Sequence, residues 1–525
     1  MKRRSFLKAS SAATVAFGAY KAKALAESPL LGALRRRGNA NDHILVLIQL
    51  NGGNDGLNTL IPLDQYNNLS KARTHVLIPD TKVASLKGYS GTGIHPALTG
   101  MKSLFDNGLV SAVHSVGYPQ PNFSHFRSTD IWMSGSDSNE TWTTGWMGRY
   151  LDQRFPGFPE DYPNADMPDP LGIQIGNAVS MTFMGSEANM GMVLSSVDAF
   201  YDLVAGGDAS GSTPSTPAEE ELAYLRMLAA QTNAFTDVVK DAASKGKNLS
   251  TKYPNGNGLA DQLKIVAKLI NGGLKTPVYM VSMGGFDTHA NQVDTSDTSK
   301  GSHANLMKTL GDAVLAFQDD LQLLGHADRV AGMTFSEFGR RIMDNASNGT
   351  DHGAAAPLFV FGTGVQSGII GKNPTIASTV TVNDNVPMQF DFRQVYASVL
   401  QDWFELSPEE VNAAMGGKTF NTLPIFKSNP AGLEDYLDLV SRISISEPYP
   451  NPAIEACKVR ISSDGGQVEL KLFDPLGREL RVLLDERVVP GEQEIEVDLR
   501  GLRPGNYVLQ LAQGPNRQSR IISKR

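Results

Sequence analysis

The stretch ILVLIQLNGGNDG, residues 44–56, joins an apolar run to a loop of glycine, asparagine and aspartate. A short apolar run that ends in turn formers is typical of a strand buried on both faces of a parallel sheet. Two further apolar runs, 277–283 and 330–335, also lead into loops, GFDTH at 285–289 and SEFGR at 336–340. Because the carboxyl ends of parallel strands converge on one crevice, we expect these loops to lie together.

Strand-like and helix-like segments alternate along the rest of the core, which predicts a doubly wound α/β fold. Residues 206–217 are rich in Gly, Ser, Thr and Pro and indicate a surface loop ahead of a polar helix near 219–240. The strand candidates are 110–116, 171–175 and 358–361, and the helix candidates are 259–270, 304–323 and 392–406.

The composition limits the class of partner. With 525 residues, of which 41% are hydrophobic and 19% charged, the chain can bury a large core and divide into more than one domain. A net charge of -8 gives no reason to expect nucleic acid, so the expected partner is a small molecule, a glycan or the cell envelope. The single cysteine, Cys457, excludes an intrachain disulfide and a multi-thiolate metal site, so any metal is held by oxygen and nitrogen ligands.

Residues 1–26 indicate an export signal. RRSFLK at 3–8 is a twin-arginine pattern, and a weakly apolar stretch at 9–20 precedes predicted cleavage after Ala26. That stretch is too short to remain in a bilayer, so no permanent membrane span is predicted. The twin-arginine export machinery is therefore an expected partner.

Residues 446–525 differ in pattern from the predicted α/β core at 27–445. Short alternating runs separated by turn residues predict a small antiparallel Ig-like β-sandwich. Three motifs in order, YPNP at 449–452, LFDPLGR at 472–478 and LRPGNY at 502–507, closely resemble the C-terminal sorting domain of the bacterial type IX secretion system. The resemblance implies that the type IX machinery exports the chain to the cell surface or the medium. An unrelated Ig-like module that binds a surface polysaccharide is the alternative.

Aspartate, glutamate and histidine recur in the loops that follow the core strands. Any one of these loops alone is ordinary turn chemistry. Together they predict one metal or anion site, because carboxylate oxygens and neutral imidazoles suit zinc, manganese or iron.

The core also resembles the bacterial domain of unknown function 1501 family, which is similar to the alkaline-phosphatase and sulfatase superfamily. The resemblance implies an alkaline-phosphatase-like sheet. The motifs that carry it are LNGGNDGLN at 50–58, IHPAL at 94–98, SHF at 124–126, TGW at 144–146, GFDTH at 285–289, SEFGR at 336–340 and TDHG at 350–353.

The resemblance implies a role for each polar residue. Ser124, at the start of a predicted helix, would attack phosphorus or sulfur, and Arg127 or Arg340 would hold the anion's oxygens. A divalent metal, zinc, manganese or calcium, would complete the site. The predicted metal ligands are Asp55, Asp287, His289, Glu337, Asp351 and His352, and the residues predicted to support them through hydrogen bonds are Asn54, His95 and His125.

This set is one histidine short of the complement in two-metal relatives, and His303 is the alternative donor. A one-metal site, a carboxylate-rich manganese or calcium site, and a noncatalytic descendant all remain open. The resemblance implies an exported metal-dependent hydrolase-like protein that acts on a phosphate or sulfate ester, with an anionic small molecule or a glycan as its substrate. The alternative is a noncatalytic cell-surface protein that uses the crevice for binding or assembly.

Overall fold

The computed structural model describes residues 42–195, 235–427, 443–446, 448–463, 466–474, 478–488, 491–513 and 516–525. The predicted signal peptide, the predicted loop at 206–217 and most of the predicted helix at 219–240 lie outside these ranges. Within them, no helix is both long enough and apolar enough to cross a bilayer. The chain divides into two compact units between Lys427 and Ser428.

The strands and helices are numbered in chain order. The strands are β1 Ile44–Leu50, β2 Leu60–Pro62, β3 Ala84–Leu86, β4 Tyr89–Ile94, β5 Val110–Gly117, β6 Gly172–Ile175, β7 Gly191–Leu194, β8 Val278–Met283, β9 Val330–Phe335, β10 Arg340–Asp344, β11 Thr350–His352, β12 Ala356–Phe361, β13 Gly368–Ile370, β14 Phe390–Asp391, β15 Ile443–Ile445, β16 Ala456–Ser463, β17 Gly466–Phe473, β18 Glu479–Val488, β19 Gly491–Asp498, β20 Gly505–Gln513 and β21 Asn516–Lys524. The helices are α1 Gly56–Thr59, α2 Tyr66–Ala72, α3 Thr99–Asp106, α4 His125–Ser134, α5 Trp146–Arg154, α6 235–245, α7 Gly258–Asn271, α8 Ser302–Leu324, α9 Phe392–Ser398 and α10 Pro408–Ala414.

A nine-stranded sheet organises the first unit. Its order is β13-β5-β12-β9-β1-β8-β6-β7, with β14 also paired to β5. β1 runs parallel to both of its neighbours, with Leu45 opposite Val278 and Ile44 opposite Val330. β12 is antiparallel to β5 and to β9, whereas every other pair in this sheet is parallel. The predicted doubly wound α/β core is confirmed, but its sheet is mixed and not purely parallel.

Side chains of β1 alternate between two hydrophobic layers. Ile44, Val46 and Ile48 join the layer that holds α3, α7 and α8, and Leu45 and Leu47 join the layer that holds α4, α5 and α9. All seven residues of the strand are buried, as expected for a strand covered by helices on both faces. Burying each aliphatic side chain contributes roughly 1.5–3 kcal/mol, so this central strand anchors the loop that follows it.

That loop packs directly against the loop after β8. Gly52 has a φ of 124°, and a Cβ added there would lie 2.2 Å from the main-chain nitrogen of Asp287. Only glycine permits this approach together with this backbone conformation. The glycines after β1 therefore bring two of the predicted site loops together.

The second unit is an antiparallel β-sandwich, as predicted. One sheet has the order β15-β16-β19 and the other β18-β17-β20-β21, and the residues between them form a separate core that includes Val459, Leu470 and Leu509. Strand β15, at 443–445, pairs with β16 and so lies in this unit, on the other side of the boundary predicted after residue 445. Cys457 is buried in this core, and burial raises the pKa of its thiol to about 11.

Candidate metal centre

Four side chains meet where the central strands end. Asp287 and His289 follow β8, His352 closes β11, and His125 is the first residue of α4. These four residues are called the histidine–aspartate cluster below. Three of them, His125, Asp287 and His352, offer ligand atoms that all lie within 4.8 Å of one another.

The ring nitrogens of two histidines point at each other and at one carboxylate oxygen. The Nε2 atoms of His289 and His352 are 2.8 Å apart. Each of them is 3.2 Å from Oδ1 of Asp287. The Nε2 atom of His125 lies 3.5 Å from the other oxygen, Oδ2, of Asp287. His289 and His352 therefore meet at one oxygen of Asp287, and His125 approaches the other oxygen of the same carboxylate.

The opposite nitrogen of each ring, Nδ1, contacts an oxygen that can accept a hydrogen bond but cannot donate one. His289 Nδ1 lies 2.9 Å from Oδ1 of Asp351. His352 Nδ1 lies 2.7 Å from the carbonyl oxygen of Phe123. His125 Nδ1 lies 2.8 Å from Oε1 of Glu337, a buried carboxylate. A neutral imidazole has one N–H, and these acceptors assign it to Nδ1 in all three rings.

The Nε2 atoms are then left with lone pairs. The Nε2 atom of His125 is buried and has no hydrogen-bond partner among the described residues. Burial lowers the pKa of His352, which favours its neutral ring, although contacts with Phe123 and Asp287 oppose the shift. Lone pairs of nitrogen and carboxylate oxygen repel one another at these distances unless a cation lies among them. In tetrahedral zinc sites with bonds of about 2.0–2.1 Å, ligand atoms are roughly 3.3 Å apart, so these residues fit a metal ion.

Asp287 is ionised over the whole physiological range. Burial acts to raise the pKa of this carboxyl, but the hydrogen bond and positive charge of Arg340, together with the neighbouring imidazoles, outweigh burial and bring the pKa to about 2. The nearest charged partner is Arg340, whose Nη2 lies 2.8 Å from Oδ1 of Asp287.

Arg340 ties the loops of the site together. Its guanidinium is fully buried and donates to the carbonyls of Gly53 at 2.7 Å, Thr350 at 2.7 Å and Phe286 at 2.9 Å, as well as to Asp287. The other predicted anion clamp, Arg127, donates to carbonyls in the segment 137–140. Both guanidiniums are therefore bonded to oxygens of the protein itself.

Asp55 lies in a separate buried network. Its Oδ2 accepts from Arg73 at 2.6 Å and from Gln292 at 2.6 Å, and both ionic side chains are completely buried. Burial alone would raise the pKa of Asp55, but the charge and hydrogen bond of Arg73 hold it below its usual value. The geometry thus gives the predicted first metal ligand an arginine partner, and the sequence analysis did not single out Arg73 or Gln292.

Asn54, His95 and His303 lie beside this network. The amide oxygen of Asn54 is 3.2 Å from His303 Nε2, and the rings of His95 and His303 stack edge to face at 5.4 Å. Burial lowers the pKa of His95 to about 3 and that of His303 to about 4, so both rings are neutral. These residues support the loop after β1 and stand apart from the histidine–aspartate cluster.

The remaining predicted residues divide between the cluster and its supports. Asp351 and Glu337, predicted as ligands, hold the Nδ1 sides of His289 and His125. His125, predicted as a support, directs Nε2 toward Asp287. Ser124 is exposed at the N-cap of α4, and its hydroxyl makes no capping hydrogen bond. It stands between two residues that contact the cluster, since the carbonyl of Phe123 faces His352.

The structure thus defines a class, a two-unit protein with an α/β core that carries a histidine–aspartate cluster and an antiparallel β-sandwich. The chain belongs to the family described as protein of unknown function (DUF1501), which matches residues 90–415. Residues 447–524 match the secretion system C-terminal sorting domain. Both predicted resemblances are confirmed, and the sorting domain implies export to the cell surface or the extracellular space.

No curated protein matches the chain. Among solved structures, it is similar to the PsFucS1 sulfatase from Pseudoalteromonas sp., at 10% identity and a TM-score of 0.31 over 91% of this chain and 87% of that one. It is also similar to alkaline phosphatase from the Antarctic bacterium TAB5, at 9% identity and a TM-score of 0.26 over 73% of this chain and 100% of that one. An FMN-binding beta-glucuronidase from Facaelibacterium prausnitzii L2-6 matches at 14% identity and a TM-score of 0.13, over 25% of this chain and 22% of that one. Scores this low carry no argument about function.

Proposed function

We propose that this chain is an exported metal-dependent hydrolase that acts on a phosphate or sulfate ester. The metal ligands are His125, His289, His352 and Asp287. The observation that supports this proposal is the convergence of three imidazole lone pairs and one carboxylate, each ring being held from behind by an acceptor. Metal-binding histidines in proteins show this same arrangement, with the second nitrogen bonded to a carboxylate or carbonyl.

The donor set favours zinc among the three metals expected. Calcium takes six to eight oxygen ligands, which this cluster cannot supply. Manganese prefers carboxylate, carbonyl and water oxygens, whereas imidazole nitrogen with one carboxylate suits zinc. When bound, such an ion polarises an ester oxygen and lowers the pKa of coordinated water.

Ser124 is the proposed nucleophile. The residue is exposed, lies at the amino end of a ten-residue helix, and stands between Phe123, whose carbonyl contacts His352, and His125 of the cluster. The helix dipole and the adjacent main-chain N–H groups favour a developing alkoxide there. Oγ would form the new bond to phosphorus or sulfur while the bond to the alcohol breaks, and the hydroxyl proton would pass to the departing oxygen through water. Attack by water would then release the acid and restore the serine.

A noncatalytic binding protein is the second candidate. The observation that favours this candidate concerns Arg127 and Arg340, the two arginines expected to hold the anion. Both donate to main-chain carbonyls of the protein instead. A site that lost its free guanidinium could keep its metal as a structural or ligand-binding element.

Elemental analysis comes first, on the predicted mature chain from residue 27 purified without chelator. We expect one equivalent of zinc in the parent protein, loss of zinc in the His289→Ala and His352→Ala variants, and parent content in His326→Ala, a histidine outside the cluster. No bound metal, and no uptake on zinc titration, would contradict the metal centre.

A panel of phosphate and sulfate esters then separates the two functions. Hydrolysis by the zinc-loaded parent should fall roughly 100-fold or more in Ser124→Ala and persist in Thr129→Ala, a change on the same helix. A fully loaded parent that cleaves no ester of either kind would favour the binding protein.

A further inference from the structure

Arg341 lies next to Arg340 on β10, but its side chain has different partners. Its Nε donates to the carbonyl oxygen of His352 at 3.0 Å. Its guanidinium carbon lies 5.2 Å from the centre of the Phe123 ring, a cation–π distance. One hydrogen bond and one ring face thus fix the direction of the side chain.

Both contacts belong to the wall of the histidine–aspartate cluster. The ring of His352 contributes Nε2 to the cluster, and its Nδ1 contacts the carbonyl of Phe123. Ser124 is the next residue after Phe123. The guanidinium of Arg341 is therefore attached to the two segments that border the proposed nucleophile.

The terminal nitrogens of Arg341 remain available. Among the described residues, no carboxylate forms an ion pair with Arg341, and only its Nε makes a side-chain hydrogen bond. The residue is partly exposed, so Nη1 and Nη2 can meet a ligand from solvent. By contrast, Arg340 is fully buried and Arg127 is committed to carbonyls.

Charge around the cluster makes a free cation necessary for anion binding. Asp287, Asp351 and Glu337 are three carboxylates, and Arg340 neutralises only one of them. Even with Arg341, the region is net negative until a divalent metal is present. With both, it carries one net positive charge, enough to hold an oxyanion.

We propose that Arg341 is the anion-binding residue of this site, and that it takes two oxygens of a phosphate or sulfate monoester on its terminal nitrogens. A planar guanidinium presents a pair of N–H groups whose spacing matches two oxygens of such an anion. This rests on the proposed function for the ester itself, whereas anion binding can be measured without turnover.

The test is calorimetric titration of inorganic phosphate, and separately of inorganic sulfate, into the full mature chain with zinc or with chelator. With zinc, the parent should bind at least one of the two anions, and Arg341→Gln should weaken that binding about 10-fold or more. Arg341→Lys should be intermediate, since it keeps the charge but loses the planar fork. Arg329→Gln, at the amino end of β9, is the control and should match the parent. With chelator, binding should be weak in every variant.

Phe123→Leu supplies a second variant that keeps the arginine. Loss of the ring beneath the guanidinium should weaken anion binding about 2- to 5-fold. Anion affinity in Arg341→Gln equal to that of the parent, or no binding of either anion by the zinc-loaded parent, would overturn the assignment.

The outcomes also separate this inference from the proposed function. Unchanged anion affinity in Arg341→Gln, together with ester cleavage that depends on Ser124, would remove the role of Arg341 and leave the hydrolase. Weakened anion affinity in Arg341→Gln, together with a zinc-loaded parent that cleaves no ester, would leave an anion-binding site and remove the hydrolase.

Discussion

Glu337→Gln and Asp351→Asn should both weaken zinc binding, but by different amounts. Each carboxylate fixes the N–H of one cluster histidine on Nδ1, and each substitution removes a charge while retaining an acceptor of the same shape. Loss of such a supporting partner typically costs 10- to 100-fold in metal affinity. The side chain of Glu337 is 4% exposed, whereas that of Asp351 is 52% exposed.

The difference in exposure sets the magnitudes. Water screens the charge of Asp351, so we expect about a 10-fold loss, or about 1.4 kcal/mol. Glu337 acts through a low-dielectric interior and also accepts the main-chain N–H of Gly52 at 2.8 Å. Its substitution should approach a 100-fold loss, or about 2.7 kcal/mol.

Competition with a chromophoric zinc chelator at fixed pH and ionic strength measures both affinities. Asp261→Asn, an exposed residue on α7, provides the control for an unrelated loss of charge. Denaturation curves without metal would show whether either variant loses fold stability instead. Equal losses, the reverse order, or losses no larger than that of the control would refute the argument from the ring tautomers.

Three further predictions concern the fold and its export. Arg73→Met should lower the free energy of unfolding of the core by about 3–5 kcal/mol, because it leaves the buried carboxylate of Asp55 without its ionic partner. Urea unfolding can be followed by tryptophan fluorescence. This signal reports on the first unit alone, since all four tryptophans lie before residue 428. The pKa of Asp55 in the folded protein lies below its ordinary value of 3.8. The stability that Asp55 contributes is therefore present above pH 3.8 and is lost as the pH falls through the folded-state pKa. Acid unfolding curves of the parent should fall more steeply below about pH 4 than those of Asp55→Asn. Replacing Arg3 and Arg4 by lysine should block export, and efficient secretion of that variant in cell fractionation would exclude the twin-arginine route.

Much of the core could be predicted from periodicity. The helix predicted at 259–270 is observed as Gly258–Asn271, and the helix at 304–323 as Ser302–Leu324. Both bury a regular apolar stripe, and local pattern determines such segments well. The direction of β12 could not be predicted from its own residues, since an apolar run has the same pattern in either direction. In the structure, the β10–β11 hairpin occupies the chain between β9 and β12, where a parallel return would usually need a crossover helix.

The loops that form the site could also be predicted, but the contacts between particular side chains could not. Gly-flanked Asp and His after buried strands pointed to the residues of the cluster. Whether a particular carboxylate meets a metal or a guanidinium depends on segments that are distant from it in the sequence. Asp55 has the sequence surroundings of a ligand, yet α2 delivers Arg73 to it from 18 residues away. No sequence pattern pointed to Arg341, because its position beside the cluster depends on the tertiary contacts that it makes with Phe123 and His352.

The antiparallel direction of β12 has a consequence for how relatives can diverge. Between the end of β9 and the start of β12, the chain makes an excursion through the β10–β11 hairpin and returns to pair with β9 in the interior of the sheet. That excursion alone contributes Glu337, Arg341 and His352. The tip of this hairpin, residues 345–349, is bonded to the loop after β8, because the main-chain N–H groups of Asn291 and Gln292 donate to the carbonyls of Ser347 and Asn348. Changes at the tip therefore act on the loop that carries His289. Relatives that differ within residues 336–355 can therefore differ at the cluster while the order of the central strands stays the same, and graft experiments can exchange the same segment.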